Sequence, residues 1–348
     1  MVTSMHMADA LVSPAVGGAM MAASGAFIAC SVWKDRKNNL LDEKKVPVMG
    51  VMSAFVFAAQ MINFTIPGTG SSGHIGGGIL LAALLGGGPA LLCITAVLII
   101  QCLLFADGGI LALGCNIFNM GVIPCLVAYP LLYKPLVKKG MSARNIAIAS
   151  VLTAVIGLQL GAFAVVLETI ASGITHLPFS TFVLFMQPIH LAIGLGEGLV
   201  TAAVLAYVAK ARPELMESAQ NARPLDRQVS LKKVLAILAV LVVLVGGLSL
   251  FASAYPDGLE WSIDGVLKQS DVTADEDTGE VRGITASGPA YETTAGIQEA
   301  TAIMPDYAFK DSQSPAGTSV AGILGSVVTL LLAGSVGLLI AKAKRKTA

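Results

Sequence analysis

Met5 and His6 stand side by side at the head of a chain that is otherwise dominated by apolar runs, and a further histidine, His74, follows a stretch rich in glycine and serine. With Met5 as the first residue, this dipeptide is a chelator. Its free α-amine, the amide nitrogen between the two residues and the His6 imidazole Nδ1 close a five-membered and a six-membered ring on one ion. Three nitrogens then lie in a plane, and His74 is the candidate for the fourth. An all-nitrogen square plane suits Ni(II) or Cu(II), whereas Mg²⁺ and Ca²⁺ want oxygen. Cu(II) outranks Ni(II) in the general affinity order, so affinity alone does not select nickel. The chemistry requires an unblocked Met5 nitrogen. Four residues, Met1 to Ser4, precede it, and the expectation is initiation at Met5.

The surrounding chain is membrane material. Of 348 residues, 55% are apolar and the mean hydropathy is +0.77, which predicts an all-α polytopic helical bundle. The formal net charge is zero, but the stretch from Pro256 to Pro315 holds twelve acids and three bases, leaving the rest basic. That asymmetry speaks to topology and not to nucleic acid, because Lys and Arg gather in cytoplasmic loops. The five cysteines fall inside apolar runs without metal or disulfide spacing, and read as small buried residues.

The elements that must position the histidines follow from hydropathy and charge. Spans are predicted at Ala10 to Trp33 and Val46 to Phe64, with Lys34, Arg36, Lys37, Lys44 and Lys45 between them in the cytoplasm. The N-terminus is then outside, and the loop Thr65 to Gly73 delivers His74 to that same side. Next come two shorter runs, His74 to Leu85 and Pro89 to Phe105, split by Gly86-Gly87-Gly88. The first is too short to cross about 20 residues of hydrocarbon, and such breaks at membrane depth often mark sites. Leu111 to Tyr133, Ile146 to Ser172 and Phe182 to Val208 complete about seven spans. Residues 5–212 make one metal-binding membrane domain, 213–230 a cytoplasmic linker, and 231–348 a two-span module formed by Val234 to Ala252 and Val320 to Ala341. Its acidic loop, 256–315, is expected outside with little packed core of its own.

Polar residues inside apolar spans are costly and need partners. Asp107, Asn116, Asn119, Glu168, His190 and Glu197 are such residues. His190 and Glu197, two helical turns apart, share a helix face with Gln187. They read either as a polar network that orients the metal ligands or as plain hydrogen bonding between helices beside Gly194, Gly196 and Gly198. His176, near Pro178, reads as an interfacial residue. Gly68 to Ile75 has the glycine spacing of a phosphate-binding loop, but His74 and Ile75 stand where Lys and Ser/Thr are required, so no nucleotide is expected there. Two other classes remain: an ion-coupled secondary transporter moving protons through Asp107, Glu168, His190 and Glu197, and an intramembrane enzyme using His190 and Glu197. Neither employs Met5 and His6.

Four stretches together resemble the CbiM/NikM family. They are Met5-His6-Met7-Ala8-Asp9-Ala10-Leu11, Gly73-His74 with its glycines, Phe105-Ala106-Asp107-Gly108-Gly109 through Asn116-Ile117-Phe118-Asn119-Met120-Gly121, and His190 through Glu197-Gly198. Pro256-Asp257-Gly258-Leu259-Glu260 resembles the signature of the PDGLE domain, related to the small NikN/CbiN component. The resemblance implies the substrate-binding membrane component of an energy-coupling-factor transporter for nickel or cobalt, in the plasma membrane of a prokaryote. It implies an ion held by the Met5 amine, His6 and His74, and no enzyme activity or cofactor of its own. It also implies separate ATPase subunits and a coupling transmembrane subunit as partners.

Overall fold

The computed structural model describes residues 5–38, 40–41, 43–138, 140–225, 252–269, 286–310, 314 and 316–345. It is a helical membrane bundle with one small hairpin. Six helices among the described residues are long and apolar enough to cross a membrane: α1 (Pro14–Lys37), α4 (Gly87–Phe105), α5 (Leu113–Val137), α6 (Ala143–Ser172), α7 (Phe179–Ala211) and α11 (Ala316–Lys342, continuing to Arg345). Two more are shorter, α2 (Val46–Gln60) and α3 (Gly78–Leu85). The predicted span from Val234 to Ala252 lies outside the described residues except for Ala252.

Glycine and proline set the irregular parts. The eight residues of α3 rise about 12 Å, less than half of a ~30 Å hydrocarbon layer. Gly77 (φ 78°) and Gly86 (φ 88°) bound it in backbone that costs other residues dearly. Every residue of α3 is buried, so protein rather than lipid surrounds the break. The helix of the run His74 to Leu85 thus begins only at Gly78. In α5, Pro124 and Pro130 deny two backbone donors, and Phe118–Tyr133 winds in the wider π register. A Cβ at Gly78 would come within 2.6 Å of Pro124, so glycine is what lets α3 seat on this bulge.

The stretch read as a glycine loop is a hairpin, β1 (Phe64–Ile66) and β2 (Ser71–Gly73), antiparallel with Phe64 opposite Gly73. The polar linker is not bare either. Helix α8 (Pro213–Asn221) buries Met216 and Ala219 against α3, and Gln220 donates to the Lys134 carbonyl at 2.9 Å.

The acidic segment departs most from expectation. It forms α9 (Gly258–Gln269), α10 (Pro289–Thr301) and a turn at Pro305–Tyr307, which bury Leu259, Val266, Leu267 and Tyr307 against the first domain. Few apolar residues suffice because the bundle supplies the other side of the contact. Helix α11 likewise lies along α2: Ser326 Oγ donates to the Ala54 carbonyl, and a Cβ at Gly325 would strike the Phe57 ring. Such contact through small residues is how helices associate where lipid removes the hydrophobic drive.

Candidate metal centre

Residues Met5 to Val12 run across one end of the bundle before Ser13 caps α1. Met7 is laced by its backbone: its N–H donates to Asn116 Oδ1 at 3.0 Å, and its carbonyl accepts from Asn116 Nδ2 at 3.0 Å and from the Gly109 amide at 3.0 Å. Asp9 Oδ1 accepts from the amides of Leu111 (2.8 Å) and Ala112 (3.1 Å), the uncovered donors ahead of α5. A Cβ at Gly109 would overlap the Asp9 carboxylate, so glycine permits this approach.

Asp107 meets His6 because α4 ends abruptly. Ala106 takes left-handed backbone (φ 54°), and the amides of both Ala106 and Asp107 reach back to the Gln101 carbonyl, the latter at 3.0 Å, which turns the chain out of the helix. The carboxylate then grips His6 twice, accepting from its backbone N–H (Oδ1, 3.2 Å) and contacting Nδ1 (Oδ2, 2.8 Å). These are the two His6 nitrogens assigned to the chelate. His6 and Asp107 are 3% and 2% exposed. Burial alone would raise the Asp107 pKa, but His6, the Tyr307 hydroxyl and His74 together hold it down at about 2.

His74 arrives from β2. Its ring centroid lies 5.6 Å from that of His6, at 63°. Its Nδ1 faces the Ile75 carbonyl at 3.2 Å; a carbonyl only accepts, so Nδ1 carries hydrogen, and the Met5 backbone is a second partner of the ring. Burial, then the neighbouring His6, lower its pKa to about 4, leaving the imidazole neutral at physiological pH. Glu197 Oε1 accepts from the Gly77 amide at 2.9 Å, and Gln60 Nε2 donates to the Gly76 carbonyl at 2.9 Å, pinning the turn behind His74. Gly194 and Gly198 instead face Val155 and Val151 of α6, as packing glycines do.

His6, His74, His190, Asn116, Asn119 and Asp257 line one cavity of about 90 Å³. Asn119 directs its amide away from it, to Glu168 Oε2 at 2.7 Å, and His176 stands exposed at another place. Among the described residues no three His, Cys, Asp or Glu side chains form a ready-made metal cluster.

The acidic segment supplies groups that the sequence did not announce. The Tyr307 hydroxyl donates to Asp107 Oδ2 at 2.5 Å, Thr294 Oγ1 to Asp9 Oδ2 at 2.8 Å, and Gln298 Nε2 to the Gly108 carbonyl at 2.8 Å. Pro256-Asp257-Gly258-Leu259-Glu260 has a mechanical reading. Pro256 offers its carbonyl to the Ser72 amide at 2.8 Å, and Asp257 and Glu260 form a reciprocal capping box on α9 (2.9 and 3.4 Å). Gly258 packs where a Cβ would sit 2.6 Å from Ile193, and Leu259 is buried. The missed pair Gln60 and Gln101, joined at 2.8 Å, had a signal in the sequence: both are amides inside apolar runs.

The family model described as "Cobalt uptake substrate-specific transmembrane region" (CbiM) matches residues 6–215, and the PDGLE domain model matches 232–342. The chain is similar to a putative fused nickel transport protein, NikMN, of Archaeoglobus fulgidus, 32% identical over 331 residues, covering 94% of this chain and 96% of the relative. The fused nickel transport protein NikMN of Rhodobacter capsulatus is 29% identical over 347 residues, covering 95% and 96%. The cobalt transport protein CbiM of Sorangium cellulosum is 28% identical over 201 residues, 57% of this chain and 88% of that one. A crystal structure of a transition metal transporter superposes with a TM-score of 0.52 at 30% identity, covering 63% of this chain and 99% of that chain.

Proposed function

We infer the function from a premise: this chain belongs to the CbiM family of cobalt uptake substrate-specific transmembrane proteins and carries a PDGLE domain behind that region. It is a nickel or cobalt transport component. The finer reading is that it captures Ni(II), or Co(II), at the outer face of a prokaryotic plasma membrane, with its N-terminus outside. The ion takes the Met5 amine, the amide nitrogen and Nδ1 of His6, and Nε2 of His74. Uptake is driven by separate ATPase subunits acting through a coupling membrane subunit.

One observation carries this reading: the rings of His6, ahead of the first span, and His74, behind the second, meet at 5.6 Å on one cavity. Asp107 supports it. The carboxylate holds the two His6 nitrogens that the ion needs, so loading exchanges a hydrogen-bonded carboxylate for a metal and releases protons. A neutral His74 adds no charge repulsion to the incoming cation.

The test is metal accumulation in cells expressing the intact chain, His6→Ala and His74→Ala with the transporter's other subunits, beside mass spectrometry of the purified N-terminus. Loss of nickel uptake in both variants is expected, as is an N-terminus at Met5. Uptake that persists in either variant, or a metal-competent protein beginning at Met1, sinks the proposed ligand set.

A further inference from the structure

His190 fits neither of the plain roles first open to it. Its Nδ1 lies 2.7 Å from the Met186 carbonyl, one turn back on α7, and must carry hydrogen to satisfy that acceptor. The lone pair is therefore on Nε2. Among the described residues no hydrogen bond reaches Nε2, although the ring lines the cavity shared with His6 and His74. His74 is held in a similar way, with Nδ1 clamped by the Ile75 carbonyl. A carbonyl on the far nitrogen that fixes tautomer and ring orientation is the usual support of a metal-bound histidine.

Two features of the cavity bear on what Nε2 meets. Its roof at this point is Gly258 of the Pro256–Glu260 turn, where a Cβ would lie 3.1 Å from His190 Cε1 and 3.3 Å from Nε2. Any larger residue would cover the nitrogen; glycine leaves it open. The volume, about 90 Å³, is also more than a bare ion in a four-nitrogen plane occupies. At the roughly 30 Å³ that a water takes in the liquid it holds about three waters, room for a divalent ion that keeps part of its hydration shell.

We infer that His190 Nε2 is a further ligand for the transported ion, binding it in a loading position before it enters the plane formed by Met5, His6 and His74. The ion arrives hydrated and six-coordinate, and His190 replaces one water. It passes to the chelate as Asp107 yields the His6 nitrogens. No bond of the protein is made or broken in this step: water leaves the metal, imidazole enters, and the imidazole later leaves in its turn. The inference rests on the capture reading above.

The test mixes the purified full-length protein with Ni(II) alone and follows the metal by absorption and magnetic susceptibility. Six-coordinate nickel is paramagnetic and square-planar nickel is diamagnetic, so the two positions are told apart. In the intact protein, paramagnetic nickel that stays with the protein on rapid desalting, as free aqua nickel does not, is expected to precede the planar complex. His190→Asn keeps an amide donor for the Met186 carbonyl and removes the Nε2 ligand. It is expected to slow formation of the planar complex about tenfold or more, to abolish the paramagnetic intermediate, and to leave the final planar content unchanged. His190→Gln is the second variant, with thermal unfolding of both measured without metal. A normal loading rate in either variant, or slowing that merely tracks lost thermal stability, overturns the proposal. Absence of planar nickel in the intact protein instead overturns the capture reading, and this inference falls with it.

Discussion

The Tyr307 hydroxyl and Asp107 Oδ2 lie 2.5 Å apart across 200 positions of sequence, and that same oxygen contacts His6 Nδ1 at 2.8 Å. The C-terminal module thus touches the carboxylate that holds His6, one of the proposed ligands. Partners one step removed from a metal typically carry 10–100-fold in affinity. Tyr307→Phe, which removes only the hydroxyl, is expected to weaken nickel binding about tenfold by calorimetric titration. Asp107→Asn should do so by at least as much. The double variant should fall short of the product of the two, because both act through one carboxylate. Strictly multiplicative losses would show that Tyr307 and Asp107 act separately.

Asp9 holds the N-terminal segment by three hydrogen bonds, from Leu111, Ala112 and Thr294. Hydrogen bonds to a charged group are each worth about 1.5–3 kcal/mol. Asp9→Ala is therefore expected to release residues 5 to 12 from α5 and to weaken nickel binding more than Asn116→Ala does. The loss of Asn116 still leaves Met7 bonded to the Gly109 amide. Proteolysis of the N-terminal segment, compared between the two variants, checks the order. Equal protection in Asp9→Ala and the intact chain would remove Asp9 from the site's construction.

The long spans could be read from apolar run length alone; the placement of charge in the loops put His6 and His74 on one side, and the resemblance to a known family joined them in one site. The wall of the site could not. Asp107 reaches His6 only because α4 closes at Ala106 in left-handed backbone, and alanine carries no cue for that. The hairpin was hidden because its strands are three residues long, too short for alternation to register. The acidic segment misled through composition. Its few apolar residues predicted no core of its own, yet Leu259, Val266 and Tyr307 need none, since they dock on a surface made by other helices.

Gly258 gives a test of that docking. A Cβ there would stand 2.6 Å from Ile193 Cδ1, which is itself packed with Ile66 and Ile189. Overpacking of this kind typically costs about 1–3 kcal/mol. Gly258→Ala is expected to push the Pro256–Glu260 turn off α7, raising hydrogen exchange in α9 while leaving α6 unchanged. A protein with normal protection in α9 would mean that the roof is looser than the geometry indicates.

Docking of α9 should also respond to pH through Glu260. Burial raises its pKa from 4.5 to about 7; the Asp257 amide opposes this, while Asp264, Asp107 and Asp306 add to it. A carboxyl whose pKa is higher in the folded state binds its proton more tightly there, so its contribution is full below about 4.5 and is lost as pH rises through 7. Asp257, whose pKa burial and Glu260 push well above 3.8, works in the same direction. Hydrogen exchange in α9, corrected for the intrinsic effect of pH, should therefore increase from pH 6 to pH 8. Glu260→Gln holds the neutral form at every pH and should flatten most of that rise. Since Gln still offers an oxygen to the Asp257 amide, the capping geometry survives the substitution and the comparison isolates charge. Protection that is independent of pH in the intact protein would place Glu260 in solvent and remove it from the control of the module.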